Sequence, residues 1–266
     1  MQKRTFTDQM GRVISLNYPP QRIISLVPSQ TELLFDLGLD EEVIGITKFC
    51  IHPKEKFKSK TKVGGTKKIN FEKIRGLNPD LIIGNKEEND QVQIEELMNE
   101  FPVWMSDISV LDDALNMIEQ VGIITGHTEK AKVIASNIKN RFADLESVSA
   151  DNLKTAYLIW KDPYMVAGNN TFIDCILKSA GFDNSVKLNR YPVMSLEQLE
   201  DLGPELIFLS SEPYPFKDEH VQEMKNKFPN SKVMIVDGEL FSWYGSRLLH
   251  TPNYLRSLIK LINGHP

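Results

Sequence analysis

Cys50-Ile51-His52 sets a thiol and an imidazole close together and is the chain's one pairing of soft metal ligands. With His250, and with Glu239 or Asp237 from the far half of the sequence, these groups could hold a transition metal in a mixed sulfur, nitrogen and oxygen shell. A lone Cys-x-His lacks the multi-ligand spacing of a metal site, and His52 stands before Pro53, where it serves a turn equally well. Bond-making chemistry has less to draw on. The sequence contains no Gly-x-Ser-x-Gly, no Walker loop, no Gly-x-Gly-x-x-Gly and no His-Glu-x-x-His. Gly64-Gly65 could bend around a phosphate, but no helix start and no Lys-Ser pair follows to complete such a site. The expectation is a binding protein that is not an enzyme and requires no cofactor.

A second pattern concerns carboxylates. Residues 71–83 run Phe-Glu-Lys-Ile-Arg-Gly-Leu-Asn-Pro-Asp-Leu-Ile-Ile, and residues 196–208 run Leu-Glu-Gln-Leu-Glu-Asp-Leu-Gly-Pro-Glu-Leu-Ile-Phe. Glu72 pairs with Glu197, Leu77 with Leu202, Pro79 with Pro204, Asp80 with Glu205 and Leu81 with Leu206, at one constant offset. Each copy predicts a short helix, a turn at the proline and a buried strand, because the residue before proline is pushed out of the α region. Two copies of one phrase point to two similar lobes and hence to a cleft.

The flanking elements support that organisation. Asp8-Gln9-Met10-Gly11-Arg12 predicts a hairpin turn. Arg22 to Val27 predicts a buried strand, followed by a helix capped by Ser29 or Thr31 and ending at Gly38, and then a strand over Val43 to Thr47, which together make a βαβ unit. Residues 54–62 are expected to form a lysine-rich loop. Ile94 to Asn99 and Val103 to Met105 continue the alternation, and Leu111 to Ile124 predicts a helix closed by Gly126. From Thr128, apolar Ala131, Ile134, Ala135, Ile138, Phe142 and Leu145 keep helical spacing. They predict one helix of about 20 residues, roughly 30 Å long, bridging the lobes. Further on, the strand Thr155 to Trp160, the helix Thr171 to Ala180, a helix near Glu219 to Lys227, the strand Lys232 to Val236 and a last helix from Pro252 to Ile262 repeat the α/β alternation. The expected domains are an N-terminal lobe over 1–126, a linking helix over 127–148 and a C-terminal lobe over 149–266.

With 266 residues, 41% of them hydrophobic, the chain can fill two cores, and its net charge of −5 argues against a nucleic-acid partner. Cys50 and Cys175 fall in different predicted lobes, which disfavours a disulfide between them. The N-terminal residues lack the apolar stretch of a signal peptide, and no run of about 18 apolar residues predicts a membrane span.

Taken in order, Arg-Ile-Ile-Ser-Leu-Val-Pro-Ser-Gln-Thr-Glu-Leu-Leu-Phe-Asp-Leu-Gly at 22–38, Val-Ile-Gly-Ile-Thr at 43–47, Asn-Phe-Glu at 70–72, Asn-Pro-Asp-Leu-Ile-Ile at 78–83, Met-Ser-Leu-Glu-Gln at 194–198 and Trp-Tyr-Gly-Ser-Arg at 243–247 resemble one family. It is the helical-backbone class of periplasmic substrate-binding proteins of ABC importers, which includes vitamin B12 and ferric-siderophore receptors. The resemblance implies two Rossmann-like α/β lobes with central, mostly parallel sheets, joined by one long helix, with a metal chelate held in the cleft between them. Closure on the ligand should then be small, since one helix resists bending more than several extended strands.

The same resemblance implies a site. Phe49, Trp160, Tyr191 and Trp243 fall at or beside positions that place aromatic faces around a corrin, and Ser29, Gln30 and Arg247 would add polar contacts. Thr66 and Asn85 stand where that pattern has tryptophans. Phe241, Tyr214 and Phe216 are further aromatics in second-lobe loops, the last two beside Pro213 and Pro215. Glu72 and Glu197 match the glutamates that dock each lobe on arginines of a permease dimer. Each glutamate also sits where a helix dipole favours it. The implied ligand is a cobalamin-like corrinoid carrying cobalt, with ferric siderophore or haem as the iron-bearing alternatives and a direct transition-metal receptor as the rival. The protein is expected to be a monomer of the periplasm or cell envelope, and a cytoplasmic corrinoid or chelate carrier on the same scaffold stays open.

Overall fold

The structure is a computed structural model that describes residues 2–147 and 149–264. The chain divides into two compact units. The first comprises the chain up to Ile108 with Asp112–Ile138 and Tyr244–Arg247; the second comprises Ser109–Leu111, Lys139–Trp243 and the chain from Leu248 onward.

In the first unit, β1 (Gln2–Thr7) and β2 (Val13–Tyr18) form the expected antiparallel hairpin. There follow β3 (Ile23–Ser25), α1 (Pro28–Leu37), β4 (Val43–Ile46), α2 (Lys54–Ser59), β5 (Thr61–Lys62), α3 (Phe71–Leu77), β6 (Leu81–Asn85), α4 (Gln91–Met98), β7 (Val103–Ser106) and α5 (Leu111–Thr125), whose first residue is counted with the second unit. Strands β5-β4-β3-β6-β7 make one sheet, paired in parallel throughout. Ile24, Leu26, Ile74, Ile82, Ile94, Leu97 and Val103 cluster on one face of it, as the apolar runs of β3 and β6 require of strands covered on both sides.

Helix α6 (Thr128–Ala143) supplies residues to both units. It buries Ala131, Ile134, Ala135, Ile138 and Phe142, the stripe read from the sequence. It is shorter than expected: a 3₁₀ turn over Asp144–Ser147 takes over after 16 residues, about 24 Å of helix.

The second unit holds β8 (Lys154–Trp160), β9 (Met165–Val166), α7 (Phe172–Ser179), β10 (Asp183–Asn184), α8 (Leu196–Asp201), β11 (Leu206–Ser210), α9 (Asp218–Lys227), β12 (Lys232–Val236), α10 (Gly238–Ser242) and α11 (Thr251–Ile262). Its sheet runs β10-β8-β11-β12 in parallel, with β9 antiparallel on β8. The pleat sends alternate residues to opposite faces. Ala156, Leu158, Ile207 and Leu209 enter one apolar cluster, while Tyr157 and Phe208 pack with Phe241 at ring separations of 5.0 and 6.0 Å.

The repeated phrase is α3–β6 in one unit and α8–β11 in the other, and the likeness reaches single hydrogen bonds. Asp80 accepts from the backbone N–H groups of Gln21 and Arg22, both at 2.8 Å, just before β3. Glu205 accepts from the N–H of Lys154 at 2.9 Å, at the start of β8. In both units the carboxylate ties the repeated strand to its parallel neighbour. Asn78 and Gly203 fill the same left-handed turn, with φ of 45° and 57°.

Two local expectations fail. Helix α1 is capped by neither Ser29 nor Thr31: Val27 is its N-cap and Pro28 occupies the first turn, so both hydroxyl residues lie inside the helix. Thr31 Oγ1 instead donates to Val27 O at 2.8 Å. The lysine-rich segment is not all loop, since Pro53 starts α2 within it and Lys62 reaches back to the Phe57 carbonyl.

Candidate functional site

Loops that follow parallel strands at their carboxyl ends are where open α/β sheets bind solutes. In the first unit the loops after β4 and β5 enclose an open groove of about 830 Å³, lined by Lys48, Phe49 and residues 64–72. Its floor is built by short-range constraints. Lys48 N–H donates to Gly64 O at 2.8 Å and Gly65 N–H donates to Lys68 O at 2.7 Å, which folds 64–68 into a tight turn. Gly64 has φ of 114°, and a Cβ there would meet Lys68 O at 2.5 Å. At Gly65 a Cβ would lie 3.2 Å from the Phe49 ring.

Side chains around the start of α4 pin this turn from behind. Asn89 Nδ2 donates to Thr66 O at 3.0 Å, Gln93 Nε2 donates to Lys67 O at 2.9 Å, and Gln93 Oε1 accepts from Ile69 N–H at 2.8 Å. The groove is therefore preformed. Phe49 is 49% exposed, with the Lys48 ammonium 4.9 Å from its ring centroid.

The neighbouring predicted residues are differently placed. Ser29 and Gln30 are buried; the Gln30 amide donates to Ser106 Oγ at 2.5 Å, and its carbonyl oxygen has no hydrogen-bond partner among the described residues. Arg247 grips Glu32 with two bonds of 2.9 and 2.7 Å, so its fork is already committed within the first unit. Burial pushes the Glu32 carboxyl up, while the Arg247 hydrogen bond pulls it part of the way back. Tyr244, from the same short segment, donates to Glu88 at 2.6 Å.

Thr66 contributes its carbonyl to the turn. Asn85 ends β6 and is buried; its Oδ1 accepts from Glu87 N–H at 2.8 Å and its Nδ2 donates to Ser106 Oγ at 3.0 Å. Asn85 thus shapes a loop and presents no flat wall.

Among the described residues no three His, Cys, Asp or Glu side chains come together as a metal site. Cys50 is buried, its sulfur lies 3.1 Å from both Thr31 and Thr47 hydroxyls, and desolvation pushes its thiol up to about 11. His52 is half-buried and His250 is exposed. Asp237 caps α10 by accepting from Leu240 N–H at 3.3 Å. Cys175 forms no disulfide among the described residues.

In the second unit Trp160 is 39% exposed and meets Tyr214 edge-on at 5.6 Å. Tyr214 in turn packs on Phe216 at 4.7 Å, so these two aromatics support Trp160 from behind. Tyr191 is half-buried beside Arg190, whose guanidinium lies 6.0 Å from its ring centroid. Trp243 is only 6% exposed: its indole donates to Glu212 at 2.8 Å, and burial pushes that carboxyl up.

Glu72 and Glu197 are exposed in the first turns of α3 and α8, whose caps are Asn70 and Ser195. The Glu197 carboxyl is held below the usual range by the N–H at its own helix start and by Ser195.

Residues 23–234 match the periplasmic binding protein family. The chain belongs to it. A vitamin B12-binding protein of Pectobacterium carotovorum subsp. carotovorum is 29% identical over 237 residues, covering 86% of this chain and 85% of that protein. An uncharacterized ABC transporter substrate-binding lipoprotein of Bacillus subtilis is 25% identical over 265 residues, covering 92% and 82%. Among solved structures, the petrobactin-binding protein of Bacillus subtilis superposes with a TM-score of 0.80 over 98% of this chain and 99% of that one, at 19% identity, which supports the fold. No helix among the described residues is long and apolar enough to cross a membrane.

The lysines of the groove were not singled out from the sequence. The signal was present, because residues 48–73 hold nine lysines against only Glu55 and Glu72 in a chain of net charge −5. Linear order does not say which of the nine share one cavity.

Proposed function

We propose that this protein is the substrate-binding component of an ABC importer, capturing a metal chelate in the periplasm or cell envelope and passing it to a permease dimer without chemical change. The family match over residues 23–234 carries this reading, together with the preformed groove at the strand ends. In it, residues 127–148 join lobes 1–126 and 149–266, and the ligand lies in a cleft between them. Phe49 and Trp160, the two exposed aromatics of the predicted set, would supply ring faces. Tyr191 would flank them. Ser29, Gln30, Trp243 and Arg247 would act from behind, because their own hydrogen bonds or burial hold them. A corrinoid is supported by the B12-binding relatives; a ferric siderophore or haem fits the same scaffold.

Glu72 and Glu197, exposed at equivalent helix starts, would dock the lobes on permease arginines. Calorimetric titration with cobalamin, cobinamide, haem and ferric hydroxamates tests the ligand class, after a check of the purified protein's absorbance for a coloured passenger. For docking, the E72A/E197A variant is expected to keep the wild-type affinity and to lose stimulation of the importer's ATPase. Full stimulation by the double variant would remove the docking role.

A further inference from the structure

At the start of α9, in the second unit, an imidazole stands where helices ordinarily place a glutamate or glutamine. His220 is the third residue of the helix and only 9% exposed, and the N–H of Lys217, just before the first turn, donates to its Nδ1 at 2.9 Å. A backbone N–H can only donate, so Nδ1 carries no proton. The neutral ring then carries its proton on Nε2, which lies 3.3 Å from the Tyr214 hydroxyl. Tyr214 and Phe216 both meet the imidazole edge-on at 5.5 Å, and Trp160 meets Tyr214 in the same way at 5.6 Å. One buried ring thus connects a helix start, the loop after β11 and an exposed indole.

We propose that His220 is a pH-sensitive latch, whose neutral ring caps α9 and seats Tyr214 against Trp160. Protonation makes both ring nitrogens donors. Nδ1–H then faces the Lys217 N–H, the cap bond is lost, and a charged ring is left in a buried aromatic pocket. Turning the ring out to water relieves both and withdraws the support of Tyr214. Imidazole is the side chain that ordinarily changes charge between about pH 5 and 8. The charged neighbours do not cancel this effect. Glu223, one turn along α9, already bonds Lys161 and the Tyr164 hydroxyl, both from the chain joining β8 to β9. Lys217, Asp218 and Glu219 are exposed. Strand β12, packed against α9, adds only Lys232, which bonds the last carbonyls of α11. Glu212, two residues before Tyr214, accepts from Ser242 and Trp243, and burial pushes its carboxyl up. It is the other group of this loop that protonates early in acid. The latch lies within the second unit and does not rest on the importer reading; within that reading it would set by pH one of the two exposed ring faces.

The test is fluorine NMR of the intact, ligand-free protein labelled with 5-fluorotryptophan, followed from about pH 8 to about pH 5, with the Trp160 line assigned by W160F. The Trp160 line is expected to shift in one step that the Trp104 line does not follow. Over the same step the Lys217 amide should lose its protection against hydrogen exchange. H220Q keeps an acceptor for the Lys217 N–H that does not titrate, so its Trp160 line should stay at the wild-type alkaline position throughout. H220A has no acceptor and should hold that line near the acid position at both extremes. Circular dichroism checks the fold of both variants. Glu212 is intact in each, so a pH step that persists in H220Q belongs to Glu212 and overturns the proposal. A wild-type Trp160 line that does not move, or an H220A line at the wild-type alkaline position, overturns it as well. Nitrogen NMR of the His220 ring in the wild-type protein adds a check that needs no variant: a protonated Nδ1 at about pH 8 would sink the latch, and a bare Nδ1 that gains its proton across the Trp160 step supports it.

Discussion

The two copies of the helix-proline-strand phrase carry the same scaffold and end in different chemistry. In the first unit β6 runs into Asn85 and a loop whose polar side chains brace a lysine-rimmed groove. In the second, β11 runs into Ser210, which lies 3.0 Å from the Tyr157 hydroxyl, and on to half-buried Glu212, which accepts from the Trp243 indole. Strand and helix positions are set by burial and backbone pairing, which tolerate many side chains. The loops at strand ends escape that constraint and are free to diverge.

The largest effect that would sharpen this comparison lies in the cores. Ile83 and Phe208 occupy equivalent positions and both are fully buried. Phe208→Ala is expected to destabilise its unit by about 3–5 kcal/mol, and Ile83→Ala by about 2–5 kcal/mol. Phe208 should lie at the upper end, because Tyr157, Phe182 and Phe241 all lose a ring partner with it. Urea unfolding followed through Trp104 in one unit and through Trp160 and Trp243 in the other checks both values; shifts shared equally by all three reporters would break the picture of separate cores.

A smaller effect concerns the carboxylates that tie strand to strand. Asp80→Ala removes two hydrogen bonds and is expected to destabilise by about 1–3 kcal/mol. Glu205→Ala removes one bond at an exposed position and should do less. Equal losses in the same unfolding measurement would argue against counting bonds here.

The smallest concerns the left-handed turn. Gly203→Ala should destabilise by about 1 kcal/mol from backbone strain alone, since a Cβ there meets nothing within 4 Å. Asn78→Gly should change stability by a few tenths of a kcal/mol, as asparagine already tolerates that conformation. Thermal midpoints of the two variants, moving in these proportions, would show that the turn geometry is common to both copies.

Much of the scaffold was legible beforehand. Val43 to Thr47, Lys232 to Val236 and the stripe from Ala131 to Phe142 announce themselves by apolar period, and the offset copies of Glu72-to-Leu81 announce a duplicated strand. The site was less legible. Cys50 and His52 suggested a metal by residue type, yet Cys50 sits inward between two threonines; Arg247 suggested a polar contact to the ligand, and its grip on Glu32 spans 215 positions of sequence.

By itself, then, the sequence determined the α/β alternation, the duplication and the helix-start positions of Glu72 and Glu197, because periodicity and turn chemistry act over a few residues. Only the tertiary structure decided that Lys48, Lys67 and Lys68 rim one groove with Phe49 while Trp243 and Arg247 are held by half-buried carboxylates. Those assignments depend on which loops fold back on which, and contacts between distant segments leave no period in the chain.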